Sequence, residues 1–151
     1  MTRPFRTLAS AFLVGAIVVG ALWASTKLGA EKRYSPIIRN AHRLIVQDPL
    51  KEGELIRITS LAQGRDATVN LVRTTGALKK HYHADHEEIV YIIHGGGTMT
   101  MGDKQKRVRP GDVIYIPRKT IHGFVNGGEW ETAVLSVISP AFDGKDRVYV
   151  E

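Results

Sequence analysis

The chain has 151 residues and a formal net charge of +6, with 21 lysines and arginines against 15 aspartates and glutamates. This length supports one domain with a short appendage. Residues 1–30 contribute three basic residues and no acid, so the remainder carries a net charge of +3. Such an ordinary surface, without a basic run interleaved with aromatic residues, argues against a nucleic-acid partner. The absence of cysteine excludes disulfides, thiolate metal ligands and a lipid-modified cysteine anchor.

The first predicted element is an apolar segment at the amino terminus. No charged residue occurs in residues 7–26, and Arg3 and Arg6 precede them. A basic start followed by an apolar stretch is the layout of a secretory signal, and twenty uncharged residues can also span a bilayer as a helix. The alternative, a buried helix of the fold, is disfavoured because the segment is apolar on all sides. We expect residues 1–30 to form a signal peptide or a membrane anchor, and the protein to be exported to the periplasm or the cell exterior.

Residues 31–53 are predicted to be a linker and a lead-in arm. The first part is polar and charged, and Pro36 interrupts it. The second part carries several aliphatic residues, among them Ile37, Ile38 and Leu44, which favour a lead-in strand or arm next to the following domain.

From Glu54 onward the chain is a run of short β segments between turn signals, with turns predicted at residues 64–66 and 102–103. No helical periodicity appears in residues 54–151. Many short strands at near-regular spacing predict an all-β sandwich or barrel over residues 54–151. The predicted strands cover residues 55–58, 67–75, 79–83, 89–93, 98–101, 106–109, 113–116, 121–125, 131–138 and 147–150.

Two stretches of this β region carry three histidines and a glutamate. His81 and His83 alternate along one strand, so their side chains point to the same side. A turn followed by a new strand brings Glu88 beside them, and His122 on a later strand completes the set. Three imidazoles and one carboxylate suit a divalent metal such as iron, manganese, zinc or nickel. In an apolar interior these groups would otherwise be unpaired, so the residues themselves favour a metal site.

Two neighbouring residues are rival ligands. Glu88 keeps the parity of Val90 and Ile92, which have the character of core residues, so Glu87 is expected to face solvent. His86 is close to His83 in sequence, but its expected place is the turn between the two strands. The basic residues that flank both stretches could attract an anionic substrate, although a solvated rim is the simpler interpretation. They are Lys79, Lys80, Arg118 and Lys119.

The order and spacing of these residues resemble the two sequence motifs of the cupin superfamily, over roughly residues 54–140. The residues that match the first motif are Gly76, His81, His83, Glu88 and Gly95. Gly76 stands one residue closer to His81 than is usual. The residues that match the second motif are Gly111, Pro117, His122 and Asn126. Lys119 occupies the position where the motif usually has glycine.

The resemblance implies a double-stranded β-helix, the cupin or jelly-roll barrel, in which His81, His83, Glu88 and His122 ligate the metal. Four protein ligands leave two positions of a six-coordinate metal for a small-molecule substrate or dioxygen. We expect a metal-dependent enzyme such as a non-haem dioxygenase. A Lewis-acid isomerase or lyase and a non-catalytic metal-dependent binding or sensing module stay open, because cupins host many chemistries. The resemblance further implies a homodimer formed by sheet edges, with residues before Glu54 as the covering arm.

Overall fold

The computed structural model describes residues 34–150, which contain one short helix and ten strands. The predicted apolar helix at residues 1–30 lies outside the described residues. No helix within residues 34–150 is long and apolar enough to cross a membrane. In chain order the elements are α1 (Ala41–Gln47), β1 (Ile56–Gln63), β2 (Thr68–Thr74), β3 (Ala77–Tyr82), β4 (Glu87–His94), β5 (Gly97–Met101), β6 (Lys104–Val108), β7 (Val113–Ile116), β8 (His122–Asn126), β9 (Thr132–Ser139) and β10 (Val148–Tyr149).

The strands form two five-stranded antiparallel sheets. One sheet has the order β1-β2-β9-β4-β7, and the other has the order β10-β3-β8-β5-β6. Strands that are adjacent in sequence therefore often lie in different sheets, so the chain winds between the sheets as it proceeds. This architecture confirms the predicted all-β, double-stranded β-helix fold.

The main core lies between the two sheets. Strand β4 shows how the sequence produces it, because buried Glu88, Val90 and Ile92 alternate with exposed Ile89 and Tyr91. Period-two alternation of this kind buries one face of a strand. The buried apolar residues of this cluster are Val90, Ile92, Met99, Val108, Ile114, Ile116 and Phe124.

The lead-in arm forms a helix where a strand or extended arm was expected. Asn40 caps α1, because its side chain accepts a hydrogen bond of 2.9 Å from the backbone N–H of Arg43. Leu44 and Ile45 pack against a second buried cluster that contains Leu61 and Leu71. Leu44 and Ile45 therefore cover the barrel from one side of a helix, whereas Ile37, Ile38 and Val46 are exposed, and the strand interpretation was wrong for residues 41–47.

A buried arginine ties this helix to the barrel. The side chain of Arg73 on β2 is 1% exposed and donates to the backbone carbonyls of Ile45 and Asp48 at the end of α1. Its charge lies 3.6 Å from the carboxylate of Glu131. Because a buried charge is costly without partners, these contacts make the position of α1 part of the stable fold.

Candidate metal centre

The four predicted ligands come from both sheets. His81 on β3 lies opposite His122 on β8 in the antiparallel register, and His83 directly follows the end of β3. Glu88 lies on β4 of the other sheet. Residues directly opposite in an antiparallel pair point to the same face, so His81 and His122 both enter the space between the sheets.

Their side chains converge on one point. The ligand atoms of His81, His83 and His122 all lie within 4.8 Å of one another, and all three residues are buried. Glu88 Oε2 lies 3.3 Å from His122 Nε2 and 3.7 Å from His83 Nε2. The structure thus brings together the four residues that the sequence singled out.

Backbone carbonyls orient the three imidazole rings. His81 Nδ1 lies 2.9 Å from the carbonyl of Lys79, and His122 Nδ1 lies 2.9 Å from the carbonyl of Thr120. His83 Nδ1 bonds to the carbonyl of Asp146. Because a carbonyl only accepts, each Nδ1 carries the hydrogen and each Nε2 keeps its lone pair. This is the arrangement in which metal-ligating histidines are held.

Two of these nitrogens have no partner within the part of the chain that the structure describes. Nε2 of His83 and Nε2 of His122 are buried and make no hydrogen bond there. Leaving two buried acceptors unpaired is costly, and a metal ion would satisfy both. The donor set therefore fits a divalent metal.

Glu88 supplies the negative charge of the site. Burial alone would raise the pKa of Glu88, but His122, when it is protonated, and the Ser136 hydroxyl, which donates to Oε1, outweigh burial and lower that pKa. Glu88 is therefore anionic at neutral pH. Glu87 lies on the outside, where its carboxylate accepts a hydrogen bond of 2.9 Å from Tyr115. Glu88 thus faces inward and Glu87 outward, as the alternation along the strand predicted.

Asp146, which was not singled out from the sequence, contacts the turn that follows His83. Its carboxylate accepts hydrogen bonds of 2.8 Å from the backbone N–H groups of Ala84 and Asp85, and it lies 2.5 Å from His86 Nδ1. Burial opposes its ionisation, but these hydrogen bonds prevail and lower the pKa of Asp146 to about 2. His86 therefore lies in the predicted turn, directed at Asp146, while the Asp146 carbonyl holds the His83 ring.

Removing the charge of Asp146 tests this supporting role. We expect Asp146→Asn to weaken divalent-metal binding about tenfold, because the neutral side chain holds the turn at Ala84, Asp85 and His86 less firmly and so loosens the backbone carbonyl that orients His83. Zinc affinity measured by competition with a chelator gives the result. Asp103→Asn, in the exposed turn after β5, is the matched control and should leave the affinity unchanged. Equal affinities for Asp146→Asn and the wild type would contradict this role.

The imidazole cluster also predicts a pH dependence for the metal-free protein. Burial lowers the pKa of His81 from 6.5 to about 4, and the charges of His122 and Arg147 contribute in the same direction. The unfolded chain therefore binds this proton at a higher pH than the folded chain, and stability falls as the pH drops from about 6.5 to 4. We expect a loss on the order of 2 kcal/mol, measured by urea denaturation. His81→Gln should lose this part of the dependence, and a wild-type stability that is flat from pH 7 to 4 would contradict it.

A cavity of about 120 Å³ opens beside this cluster, and His83 is the one of the four residues that does not line it. Most of its walls are apolar, formed by residues such as Val90, Ile92, Met99 and Phe124. Its polar groups include His81, Glu88 and His122, which gives the cavity one reactive end. An apolar pocket with a few convergent polar groups is the common form of a small-molecule site.

Residues 70–138 match the family model described as the cupin domain. An uncharacterized protein of Methanocaldococcus jannaschii is 31% identical over 76% of this chain and 96% of its own length. An uncharacterized protein of Aquifex aeolicus is 35% identical over 47% of this chain, and this chain spans 58% of that protein.

Two further relatives have assigned activities. Quercetin 2,3-dioxygenase of Bacillus subtilis is 26% identical over 66% of this chain and 26% of its own length. Glucose-6-phosphate isomerase of Thermococcus onnurineus is 37% identical over 45% of this chain and 39% of its own length. The chain thus spans less than half of either enzyme.

A solved structure reproduces the architecture. An uncharacterized conserved protein of Klebsiella pneumoniae with a double-stranded β-helix domain superposes with a TM-score of 0.65 at 18% sequence identity. The match covers 78% of this chain and 99% of that protein. At this identity the likeness establishes the fold and leaves the reaction to be argued from the site.

Proposed function

The chain belongs to the cupin superfamily, and from that premise we propose that it is a metal-dependent enzyme of the non-haem dioxygenase type acting on a small molecule. The observation that carries the proposal is the orientation of the histidines. Their Nδ1 atoms are held by backbone carbonyls, while the Nε2 atoms of His83 and His122 are buried, unpartnered and next to Glu88 Oε2. Such a preformed set of donors suits metal binding and does little for folding alone.

In this proposal His81, His83, Glu88 and His122 hold the metal, and Ser136 keeps the Glu88 carboxylate in place. A divalent metal bound there supplies Lewis acidity or, in the case of iron, oxygen chemistry. The apolar walls restrict water around the substrate and thereby strengthen polar contacts at the reactive end. Three of the four residues, His81, Glu88 and His122, line the cavity, so a ligand in it would lie beside a metal held there.

Similarity to relatives with assigned activities indicates the reaction class. Similarity to quercetin 2,3-dioxygenase supports oxygen chemistry. Similarity to glucose-6-phosphate isomerase favours a second candidate, a Lewis-acid isomerase or lyase. A cupin that binds its ligand without turnover is the third candidate function. One experiment distinguishes the three candidates.

The test begins with the metal content of protein purified from its natural compartment. Iron, manganese, nickel and zinc forms of the full chain are then incubated with small chelating substrates while oxygen uptake and product formation are recorded. A dioxygenase consumes oxygen with the substrate in one redox-active form. Turnover without oxygen uptake supports the isomerase or lyase, and tight binding without turnover in every form supports the binding module. Failure of every form to retain metal would overturn the proposal.

We further propose that the protein acts outside the cytoplasm, directed there by residues 1–30. The support is the sequence layout of a basic start and an uncharged stretch of twenty residues. A fusion of residues 1–35 to a reporter enzyme that is active only after export tests this directly. An inactive fusion that remains in the cytoplasm would contradict it.

A homodimer is the remaining proposal, and the edge of the first sheet supports it. β1 is an end strand of that sheet within residues 34–150, and its residues Ile56 and Ile58 line the cavity. The backbone of an open edge strand invites pairing with another strand. Light scattering at several concentrations should give the mass of a dimer, and a monomer at high concentration would refute the proposal.

A further inference from the structure

The carboxyl-terminal strand brings an arginine to the candidate metal centre. β10 pairs with β3 so that Tyr149 lies opposite His81 and Val148 lies opposite Tyr82. Directly opposed residues share a face, and so do alternate residues along a strand. Arg147, two residues before Tyr149, therefore lies on the face of His81. Both Arg147 and Tyr149 line the cavity.

The guanidinium of Arg147 forms no ion pair within residues 34–150. Its Nε is buried without a hydrogen-bond partner there. The guanidinium lies 5.8 Å from the centre of the Phe142 ring, within the range of a cation–π contact. The adjacent carboxylate of Asp146 is engaged by His86 and two backbone N–H groups.

The positive charge of Arg147 acts electrostatically on the imidazoles of His81 and His83. After burial, which is the largest cause, the charge of Arg147 is among the effects that lower the pKa of His81 and His83. A divalent metal held with Glu88 would leave one positive charge uncompensated, and Arg147 adds a second in the same apolar cavity. Because Nε of Arg147 is buried without a partner in residues 34–150, an anion in the cavity would be stabilised by these positive charges.

We propose that the substrate is a small carboxylate, bound by the Arg147 guanidinium while an adjacent hydroxyl or oxo oxygen ligates the metal. This inference rests on the proposed function and adds the substrate class. The planar fork of arginine matches a carboxylate with two parallel hydrogen bonds. The cavity of about 120 Å³ is close to the 150 Å³ cavity that accommodates benzene in another protein, so the cavity suits a short 2-hydroxy or 2-oxo acid.

Two matched probes test this role of Arg147. Glycolate and glycolamide both offer a hydroxyl and a carbonyl oxygen to a metal, but only glycolate is charged. Binding of each to the zinc form of the full chain is measured by calorimetry. We expect glycolate to bind at least about tenfold more tightly than glycolamide, and Arg147→Gln to lose most of that preference. Arg147→Lys should retain part of the preference, and Lys145→Gln, an exposed neighbour, should retain all of it.

A second measurement uses only the wild type, so its result does not depend on whether a variant folds. Phenylglyoxal modifies arginine, and mass spectrometry gives the rate at Arg147 separately. Glycolate should slow modification of Arg147 several-fold, while glycolamide should not. Because this protection needs neither zinc nor turnover, it still tests the inference if the protein holds no metal and the proposed function fails. Equal preference in the wild type and Arg147→Gln, or a modification rate that glycolate leaves unchanged, would overturn the inference.

Discussion

His122→Ala should lower the affinity of the protein for zinc or iron at least about a hundredfold and abolish turnover, with an unchanged circular dichroism spectrum. His122 offers one of the two buried Nε2 atoms that have no partner in residues 34–150, and it lies 3.3 Å from Glu88 Oε2. Loss of a residue that merely supports a ligand costs about tenfold to a hundredfold in metal affinity, so loss of a ligand itself should cost more. The backbone pairing of β8 with β3 and β5 does not depend on the imidazole.

His94→Ala provides the control for this variant. His94 also lies on a strand of the barrel, at the end of β4, but its side chain is exposed and away from the cavity. Metal affinity and turnover of His94→Ala should equal those of the wild type. If His122→Ala kept the wild-type metal affinity, the ligand set would be refuted whatever the reaction. If it lost metal while the wild type showed no turnover in any metal form, the binding module would replace the enzyme.

Strand positions and strand faces were predictable because each is decided by nearby residues. The alternation of Glu88, Val90 and Ile92 with exposed neighbours can be read within one strand, and it identified the inward-facing glutamate correctly. The turn around Gly64 is likewise local, since the N–H of Gly64 bonds to the carbonyl of Ala67 at 2.8 Å. These features depend on contacts a few residues apart.

The helix α1 was not predictable by the same reasoning. Its seven residues are too few to be stable alone, and its stability comes from contacts with β2 that are distant in sequence. Arg73 donates to the carbonyls of Ile45 and Asp48, and Leu71 packs against the apolar side of α1. Nothing in residues 37–53 alone signals those partners.

The supporting residues of the site were missed for a related reason. Asp146 contacts His83 and His86 across more than fifty residues, and Ser136 reaches Glu88 from another strand. Arg147 joins the cavity only because β10 pairs with β3. A cluster of ligand-type residues is visible as a motif, but the groups that orient such a cluster are visible only once the strands are paired.

The motifs themselves acquire physical reasons in the structure. The side-chain amide of Asn126 donates hydrogen bonds of 2.9 Å to the carbonyls of Gly128 and Trp130, and its oxygen accepts one from the Thr132 hydroxyl. Asn126 therefore organises the turn before β9. Lys119, at the position where glycine is usual, adopts a positive φ of 62°, and its N–H bonds to the carbonyl of His83 at 2.6 Å. The turn therefore keeps its conformation at a modest steric cost, and it supports the ligand-bearing segment.

Gly95→Ala should destabilise the protein far more than Gly111→Ala, although both glycines belong to the motifs and both have a positive φ. The φ values are +74° for Gly95 and +94° for Gly111. A Cβ at Gly95 would lie 2.6 Å from the carbonyl oxygen of Glu131 and 2.8 Å from the Cα of Thr132, whereas a Cβ at Gly111 would meet nothing within 4 Å. The conformational cost of about 1–2 kcal/mol is common to both variants.

The difference in unfolding free energy between the two variants measures the steric clash at Gly95 alone. Backbone atoms cannot rotate away from a clash as a flexible side chain can, so Gly95→Ala must displace the segment before β9. We expect its loss in free energy of unfolding to exceed that of Gly111→Ala by about 1–3 kcal/mol. Urea denaturation of both variants measures this difference directly. Gly128→Ala, at a glycine without a positive φ or a nearby atom, should stay close to the wild type. Equal losses for Gly95→Ala and Gly111→Ala would mean that conformation alone makes these motif glycines necessary; an excess at Gly95 means that close approach of β4 to the start of β9 does so as well.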